Sequence, residues 1–267
     1  MVYPYSMRGI ILAGGTGSRL APLTNVVSKQ LLPVYNKPMI YYPLSTLMLS
    51  GIQEYLLIST PKDLPQFKSL LGNGKQFGIS IEYKEQQEPK GIAEALILGE
   101  RFIGSNKSAL ILGDNLLYGP GLGRDLTNKI GKSGATILAH HVSHPEEFGV
   151  VEFDEADKPI RITEKPKKVI SNWAIPGLYF YDETASERAK SLEPSERGEV
   201  EISDLNRSYL KDGELTVVKM PRGTAWLDLG TPGSLLEAGK FIQIVEERQG
   251  LRVGDPLDIA QLLNWIS

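Results

Sequence analysis

The chain contains no cysteine. Disulfides, thiolate metal sites and cysteine nucleophiles are therefore excluded, and a reducing cytoplasm is the expected location. It also lacks a basic surplus: 29 Lys and Arg face 32 Asp and Glu, for a net charge of −3. Nothing in that balance points to nucleic acid, and none is expected as a partner. No apolar run approaches the ~20 residues of a membrane-crossing helix, so no membrane partner is expected. The first six residues, MVYPYS, have neither the basic nor the apolar region of a signal peptide. Met7, directly ahead of the first strand-like run, reads as the natural start, with 1–6 as an extension. Histidine is scarce: His140, His141 and His144. The pair four residues apart shares a face only on a helix, whereas 135–142 reads as a strand ahead of Pro145, so a histidine metal cluster is disfavoured.

What is present is ample for a large core: 267 residues, 41% of them hydrophobic. Four apolar runs read as buried strands: 9–13, 54–59, 79–84 and 108–112. Between them 41–50, 64–71 and 92–102 carry helical spacing, with Gly51 and the turn Gly72-Asn73-Gly74 as stops. Continuous apolar strands alternating with helices imply an α/β fold, a parallel sheet with helices on both faces. The rhythm then changes. Runs at 149–153 and 159–163 around a turn at 154–157 predict a hairpin, and 178–181 and 215–220 predict strands. Helices are expected over 199–211 and 234–249, the second strongly amphipathic. With no repeat, low-complexity tract or linker, 1–267 reads as one unit with halves 7–115 and 116–267.

Chemistry concentrates at strand ends. Arg8 to Arg19 (RGIILAGGTGSR) reads as a buried strand entering a glycine-rich turn and ending on arginine. Glycines permit φ > 0 and let backbone N–H groups approach a ligand, while Arg19 and Lys29 supply fixed cations; the combination suits a polyphosphate. The turn is not a Walker A loop, because no Gly-Lys-Ser/Thr closes it. It is a poor dinucleotide fingerprint, because Leu20 takes the third glycine position and no acid stands ~20 residues on. A tight strand-to-helix turn without a ligand is the bland alternative, and the two cations weigh against it. Asp114 follows the strand 108–112, where ligands gather in open α/β sheets. Asp228 lies in a similar strand-then-turn, Trp226-Leu227-Asp228-Leu229-Gly230-Thr231. Mg²⁺ takes one or two carboxylates and leaves its other positions to water and phosphates. The pair is thus a candidate metal site, although spacing does not bring the two together and a lone aspartate more often caps a turn.

The chain resembles the glucose-1-phosphate thymidylyltransferases of the sugar-nucleotide nucleotidyltransferase family. The residues that carry the resemblance are GIILAGGTGSRL (9–20), SKQLLPVYNKPMIYYPLSTLMLSGI (28–52), LGDN (112–115), FGVVEFD (148–154), EKP (164–166), GLYFYD (177–182), RGEVEISDLNR (197–207) and AWLDLGT (225–231). The long 28–52 block is the most specific of these. The resemblance implies a Rossmann-like, mostly parallel sheet with flanking helices and a smaller sugar-binding β-rich insertion. It implies in-line attack of glucose 1-phosphate on the α-phosphorus of dTTP, with Mg²⁺ between Asp114 and Asp228 and no protein nucleophile. Leu12, Ala13, Gly14, Gly15 and Gly17 would lie along the nucleotide. Arg19 would hold the leaving pyrophosphate and Lys29 would sit beside the reacting phosphates. Gln30 and Gln86 would address the base, with Pro89 and Gly91 shaping its pocket. Asn115, Phe148, Gly149, Glu164, Ile175 and Tyr179 would line the sugar pocket. Lys165 and Arg197 would bind the sugar phosphate, with Trp226 packed beside it. A homo-oligomer, tetramer or dimer, is implied as well.

This chain departs from the family pattern at Phe148, where relatives usually carry tyrosine, and at Lys90, where many carry aspartate. It also stops at Ser267, short of the C-terminal helices that help build a regulatory site in typical relatives, so weakened feedback inhibition by dTDP-rhamnose is expected. Two other readings stay open: a nucleotidyltransferase for UTP or another hexose 1-phosphate, and a catalytically silent regulatory subunit. The presence of Arg19, Lys29, Asp114 and Asp228 together argues for activity.

Overall fold

The computed structural model describes residues 7–123, 126 and 133–267; the proposed N-terminal extension lies outside them. Strands β1 (Met7–Leu12), β4 (Glu54–Ser59), β5 (Ser80–Glu85) and β6 (Lys107–Leu112) form the parallel half of a ten-stranded sheet in the order β5-β4-β1-β6. The short hairpin β2 (Pro33–Val34) and β3 (Lys37–Pro38) stands apart from it. Side chains alternate faces along each strand. Ile11, Leu57 and Ile111 pack with the helices Tyr41–Leu49, Leu64–Leu71 and Pro256–Leu262 on one side. Ile10, Leu56, Ile58 and Leu110 pack with Glu94–Leu98, Ala185–Lys190 and Ile202–Lys211 on the other. The inner strands β1, β4 and β6 are largely apolar through their later residues because both faces are covered there, whereas edge strand β5 (SIEYKE) buries only Ile81.

Beyond β6 the sheet turns antiparallel. Strand β12 (Leu178–Tyr181) pairs with β6, β8 (Ala135–His141) with β12, and β11 (Trp173–Ala174) and the hairpin β9 (Gly149–Phe153) and β10 (Pro159–Glu164) complete that edge. Strand β13 (Leu215–Lys219) adds a parallel partner to β8. One sheet therefore runs through both halves of the chain, parallel in the first and largely antiparallel in the second. Strand β7 (Asn115–Tyr118) leaves it and pairs with β14 (Ala225–Asp228), setting Asp228 opposite Asn115.

Two expected elements differ in ways that matter for the cleft. The helix expected over 92–102 is two short helices, Glu94–Leu98 and Glu100–Ile103, meeting at Gly99. A Cβ on Gly99 would lie 2.9 Å from Ile10 Cδ1, so the break lets the segment approach β1. The helix expected over 199–211 starts only at Ile202, because the Val200 backbone is bonded across to 90–93: its N–H donates to Lys90 O (2.7 Å) and its carbonyl accepts from Ala93 N–H (3.2 Å). The last long helix runs Pro232–Gln249 behind a Thr231–Ser234 capping box. Ala238 and Ile242 are buried on it and Leu235, Phe241 and Val245 pack beside them, one apolar stripe as expected, while Leu236 and Ile244 are exposed.

At the end of the sheet away from the cleft, Asp182 ties three elements together. Its carboxylate accepts from Gly134 N–H (2.8 Å), Thr184 N–H and Oγ1 (3.1 and 2.6 Å) and Tyr209 Oη (2.9 Å). Burial pushes its pKa up, but the hydrogen bonds from Thr184, Tyr209 and Gly134 outweigh this and hold it below the ordinary 3.8. A depressed folded-state pKa contributes stability above the unfolded value and loses it as pH falls through the folded one. Asp182→Ala is therefore expected to cost about 2–3 kcal/mol at pH 7, measured by urea unfolding. The gap from wild type should narrow as pH drops below 4; a gap constant down to acid pH would contradict the clamp.

Candidate active site

The cleft opens along the carboxyl ends of β1, β4, β5 and β6, where the chain switches from one side of β1 to the other. It consists of two cavities with common walls. The smaller, about 270 Å³, runs over Leu12, Gly14, Gly15, Gln30, Gln86, Pro89 and Gly91. The larger, about 540 Å³, takes in Arg19, Asn115, Phe148, Gly149, Ile175, Tyr179, Trp226 and Asp228. Leu112, Asp114, Glu164 and Lys165 line both. Of the residues expected at a nucleotide, Ala13 and Gly17 line neither cavity and the rest line the smaller; of those expected at a sugar, Arg197 lines only the smaller and the rest line the larger.

The glycine turn is built for close approach. A Cβ on Gly14 would stand 2.5 Å from Gln86 Oε1. Gly91, at φ +99°, packs directly on the backbone of Val200, leaving no room for a side chain. Ala13 sits behind the turn, its carbonyl accepting from Ser59 Oγ (2.8 Å), and Gly17 is left-handed beside Thr24 and Lys29. Gln30 is buried with both ends of its amide engaged: Oε1 accepts from Ser28 Oγ (2.7 Å) and Nε2 donates to Gly14 O (3.1 Å). Gln86 donates Nε2–H to Glu94 Oε2 at 2.6 Å.

The β7–β14 ladder brings the two expected metal carboxylates together. Asp114 O accepts from Leu229 N–H (3.2 Å), next to Asp228. Lys29 Nζ pairs with Asp114 Oδ2, and both side chains are mostly buried. The Arg19 guanidinium lies against Gly230, where a Cβ would be 2.6 Å from its Nη2. Burial, and next the Asp114 carboxylate, push Asp228 up to about 6; Glu147 adds to this, while Lys29 and Arg19 pull it down. Two hard oxygen donors that repel one another are a donor set suited to a divalent cation.

Asn115, 3% exposed, bolts the larger cavity together. Its Oδ1 accepts from Trp226 Nε1 (2.7 Å) and Gly177 N–H (3.0 Å), and its Nδ2 donates to Asp114 Oδ1 (3.2 Å). Trp226 then packs against Phe148, ring centroids 4.8 Å apart. Glu164, opposite Gly149 in the hairpin register, accepts from Ser203 Oγ (2.6 Å). Lys165 follows at φ +40°, a left-handed conformation unusual for a side-chain-bearing residue, and donates its N–H to Phe148 O (3.0 Å). Ile175 N–H donates to Gly149 O (2.8 Å). Burial pushes the Tyr179 hydroxyl pKa up, as do Glu164 and Asp114.

Arg197 is not among the residues of the larger cavity. It borders the smaller one, with Nη2 on Glu201 Oε1 (2.8 Å) and Glu199 Oε2 (3.6 Å). His140 and His141 pack edge-on against different tryptophans, Trp226 and Trp173, and exposed His144 pairs with Glu146. Sequence reasoning missed Ile92, Glu147, Gly177, Ser203 and the Glu94 partner of Gln86. Ser203 lies inside the recognised block 197–207, but its contact with Glu164 crosses from a helix to a hairpin and leaves no local signal.

Residues 8–244 match the nucleotidyl transferase family. The chain is 54% identical over 260 residues to the glucose-1-phosphate thymidylyltransferase of Mycolicibacterium smegmatis, covering 97% of this chain and 90% of that protein. It is likewise 54% identical over 262 residues to that of Neisseria meningitidis, covering 98% and 91%. Among solved structures it is similar to one from Bacillus anthracis, provisionally assigned as a glucose-1-phosphate thymidylyltransferase and solved with sucrose. That likeness has a TM-score of 0.81 at 43% identity, over 88% of this chain and 94% of that one.

The raised pKa of Asp228 has a definite sign. With the folded value near 6 and the ordinary value 3.8, the folded state binds the extra proton between them. Stability should therefore fall as pH rises from 4 to 6 and stay lowered above that. Asp228→Asn is expected to stabilise the protein at pH 8 by about 1–3 kcal/mol and to flatten this slope. Urea unfolding at pH 5 and 8 checks it; equal slopes in the variant and wild type would rule it out.

Proposed function

We propose, from the premise that this chain belongs to the nucleotidyl transferase family and stands with its glucose-1-phosphate thymidylyltransferases, that it transfers a thymidylyl group from dTTP to α-D-glucose 1-phosphate. The products are dTDP-glucose and pyrophosphate. One observation carries the reading: two adjoining cavities meet at a wall formed by Asp114, Glu164 and Lys165, with Arg19 and Lys29 close by. That arrangement suits two phosphorylated substrates that must touch at one phosphorus.

An ionised oxygen of the sugar phosphate forms the new bond to the α-phosphorus of dTTP. The bond from that phosphorus to the bridging oxygen breaks, and its electron pair leaves with pyrophosphate. No protein base or nucleophile is needed, so the site's tasks are alignment and charge neutralisation. The glycine turn from Gly14 to Gly17 lets the nucleotide approach the backbone. Arg19 and Lys29 offset the triphosphate charge. Lys165, between the cavities, reaches the sugar phosphate, and Arg197 serves the nucleotide side unless it leaves Glu201. Glu164, steadied by Ser203, accepts from sugar hydroxyls. Asp114 and Asp228 would hold Mg²⁺, which supplies Lewis-acid neutralisation of phosphate oxygens when bound. A cytoplasmic homo-oligomer feeding deoxysugar synthesis fits this reading.

Pyrophosphate release with Mg²⁺ and glucose 1-phosphate should be fastest with dTTP among dTTP, UTP, CTP and ATP, and should stop on chelation. No release from folded protein that still binds dTTP would favour a silent subunit. Asp114→Asn should lose turnover by on the order of 10²-fold or more with an unchanged circular dichroism spectrum; near wild-type turnover would remove Asp114 from the mechanism. Lys165→Met should raise KM for glucose 1-phosphate about tenfold or more while sparing KM for dTTP, which separates the two subsites in a steady-state assay.

A further inference from the structure

The Gln86 side chain is 3% exposed, and its amide is engaged at one end only. Nε2 donates to Glu94 Oε2 at 2.6 Å, and the same oxygen accepts the Lys90 backbone N–H at 3.1 Å. Among the described residues no protein donor reaches Gln86 Oε1. That oxygen stands over Gly14, where a Cβ would be 2.5 Å away, on the wall of the smaller cavity. An acceptor that the protein leaves open at a cavity wall, on an otherwise buried side chain, is placed to take a ligand donor.

We propose that Glu94 sets which pyrimidine this cavity accepts, by holding the Gln86 amide with its oxygen toward the base. An amide can be turned over, exchanging donor for acceptor at nearly the same shape. Here it cannot. A carboxylate only accepts, so the turned amide would set Oε1 against Glu94 Oε2 with no proton between two acceptors. The carboxylate thus fixes the polarity that the cavity presents. Thymine and uracil donate from ring N3 and satisfy Oε1. Cytosine accepts at N3 and carries an exocyclic amine, so acceptor would meet acceptor there. The discrimination lies in what the site refuses as much as in what it binds. Nothing in this pair reads the 5-methyl group, so it separates thymine and uracil from cytosine and not from each other. Glu94 is a positioning residue in this scheme and touches no substrate.

The proposal rests on the reading of the smaller cavity as the base site of a pyrimidine nucleotide, and the test uses binding and turnover to separate the two. The probes are dUTP and dCTP, which differ only at C4 and N3. Affinities come from calorimetry on the full chain, and kcat/KM from pyrophosphate release with glucose 1-phosphate. Wild type should favour dUTP by at least ~10²-fold. In Glu94→Met that ratio should fall about tenfold or more, through weaker dUTP and stronger dCTP. Glu94→Gln, which keeps an acceptor but adds a donor, should fall between. In a Gln86→Met background Glu94→Met should change the ratio no further. An unchanged ratio in folded Glu94→Met, or equal weakening of both nucleotides, overturns the proposal, as does a further loss in the Gln86→Met background. If Glu94→Met does not fold, an unchanged ratio in Glu94→Gln overturns it instead. A wild type that prefers dUTP in binding but releases no pyrophosphate supports the amide orientation and overturns the transfer reaction. A wild type that binds both equally overturns the orientation whatever its turnover.

Discussion

Asp114 and Asp228 are held against each other at the carboxyl end of β6, and the rest of the cleft answers to that repulsion. The fold imposes it: Asp114 ends the run out of β6, and the β7–β14 ladder returns Asp228 beside it. Two carboxylates in a partly buried site are unfavourable unless compensated. Compensation is local and incomplete. Lys29 takes Asp114, Arg19 leans on the Gly230 backbone nearby, and Asn115 donates to Asp114 Oδ1. Burial first, and then the Asp114 carboxylate, keep Asp228 raised to about 6 despite both cations. A site left short of positive charge in this way is matched to a ligand set that brings a divalent cation with it, since the ion relieves a repulsion already present.

The two halves of the sheet do different work around that point. The parallel half ends in a glycine turn whose atoms approach a ligand through backbone, and Gly14 and Gly91 are fixed there by what a Cβ would strike. The antiparallel half ends in side chains carried by strands and by one helix: Glu164 from the β9–β10 hairpin, Tyr179 from β12 and Ser203 from Ile202–Lys211. Lys165 sits where they join. Its left-handed backbone costs on the order of 1 kcal/mol. Its N–H bond to Phe148 O holds that conformation, and its place on both cavities gives the strain a purpose.

Much of this is legible in the sequence because it is local. The apolar runs at 54–59 and 178–181 are strands with those bounds, and the helix at 64–71 begins and ends as its spacing implies. The glycine turn, Asp114 and Asp228 announce themselves as strand-then-turn motifs. What stayed hidden is tertiary. The helical spacing at 92–102 cannot reveal the break at Gly99, which follows from contact with Ile10 across a strand. The residues 199–201 look helical until Val200 is claimed by the backbone of 90–93. Asn115 reads as part of the LGDN motif, yet its bonds to Gly177 and Trp226 need three distant segments in place. Arg197 follows the motif but is engaged by Glu201 at the smaller cavity.

The two glutamines of the smaller cavity show why composition of a site does not fix its chemistry. Both are buried amides beside Gly14. Gln30 is bound at both ends by groups of the protein, a hydroxyl on its oxygen and a carbonyl on its nitrogen. Half of its hydrogen-bonding capacity, one donor and one acceptor, is therefore directed at the shape of the turn. Gln86 is bound at one end only, and by a group that cannot donate. Its free oxygen is left at the cavity with its polarity already decided. An amide supplies a ligand with a donor or an acceptor according to the neighbour that holds its other end, so the polarity such a site presents is set by a residue behind the cavity wall.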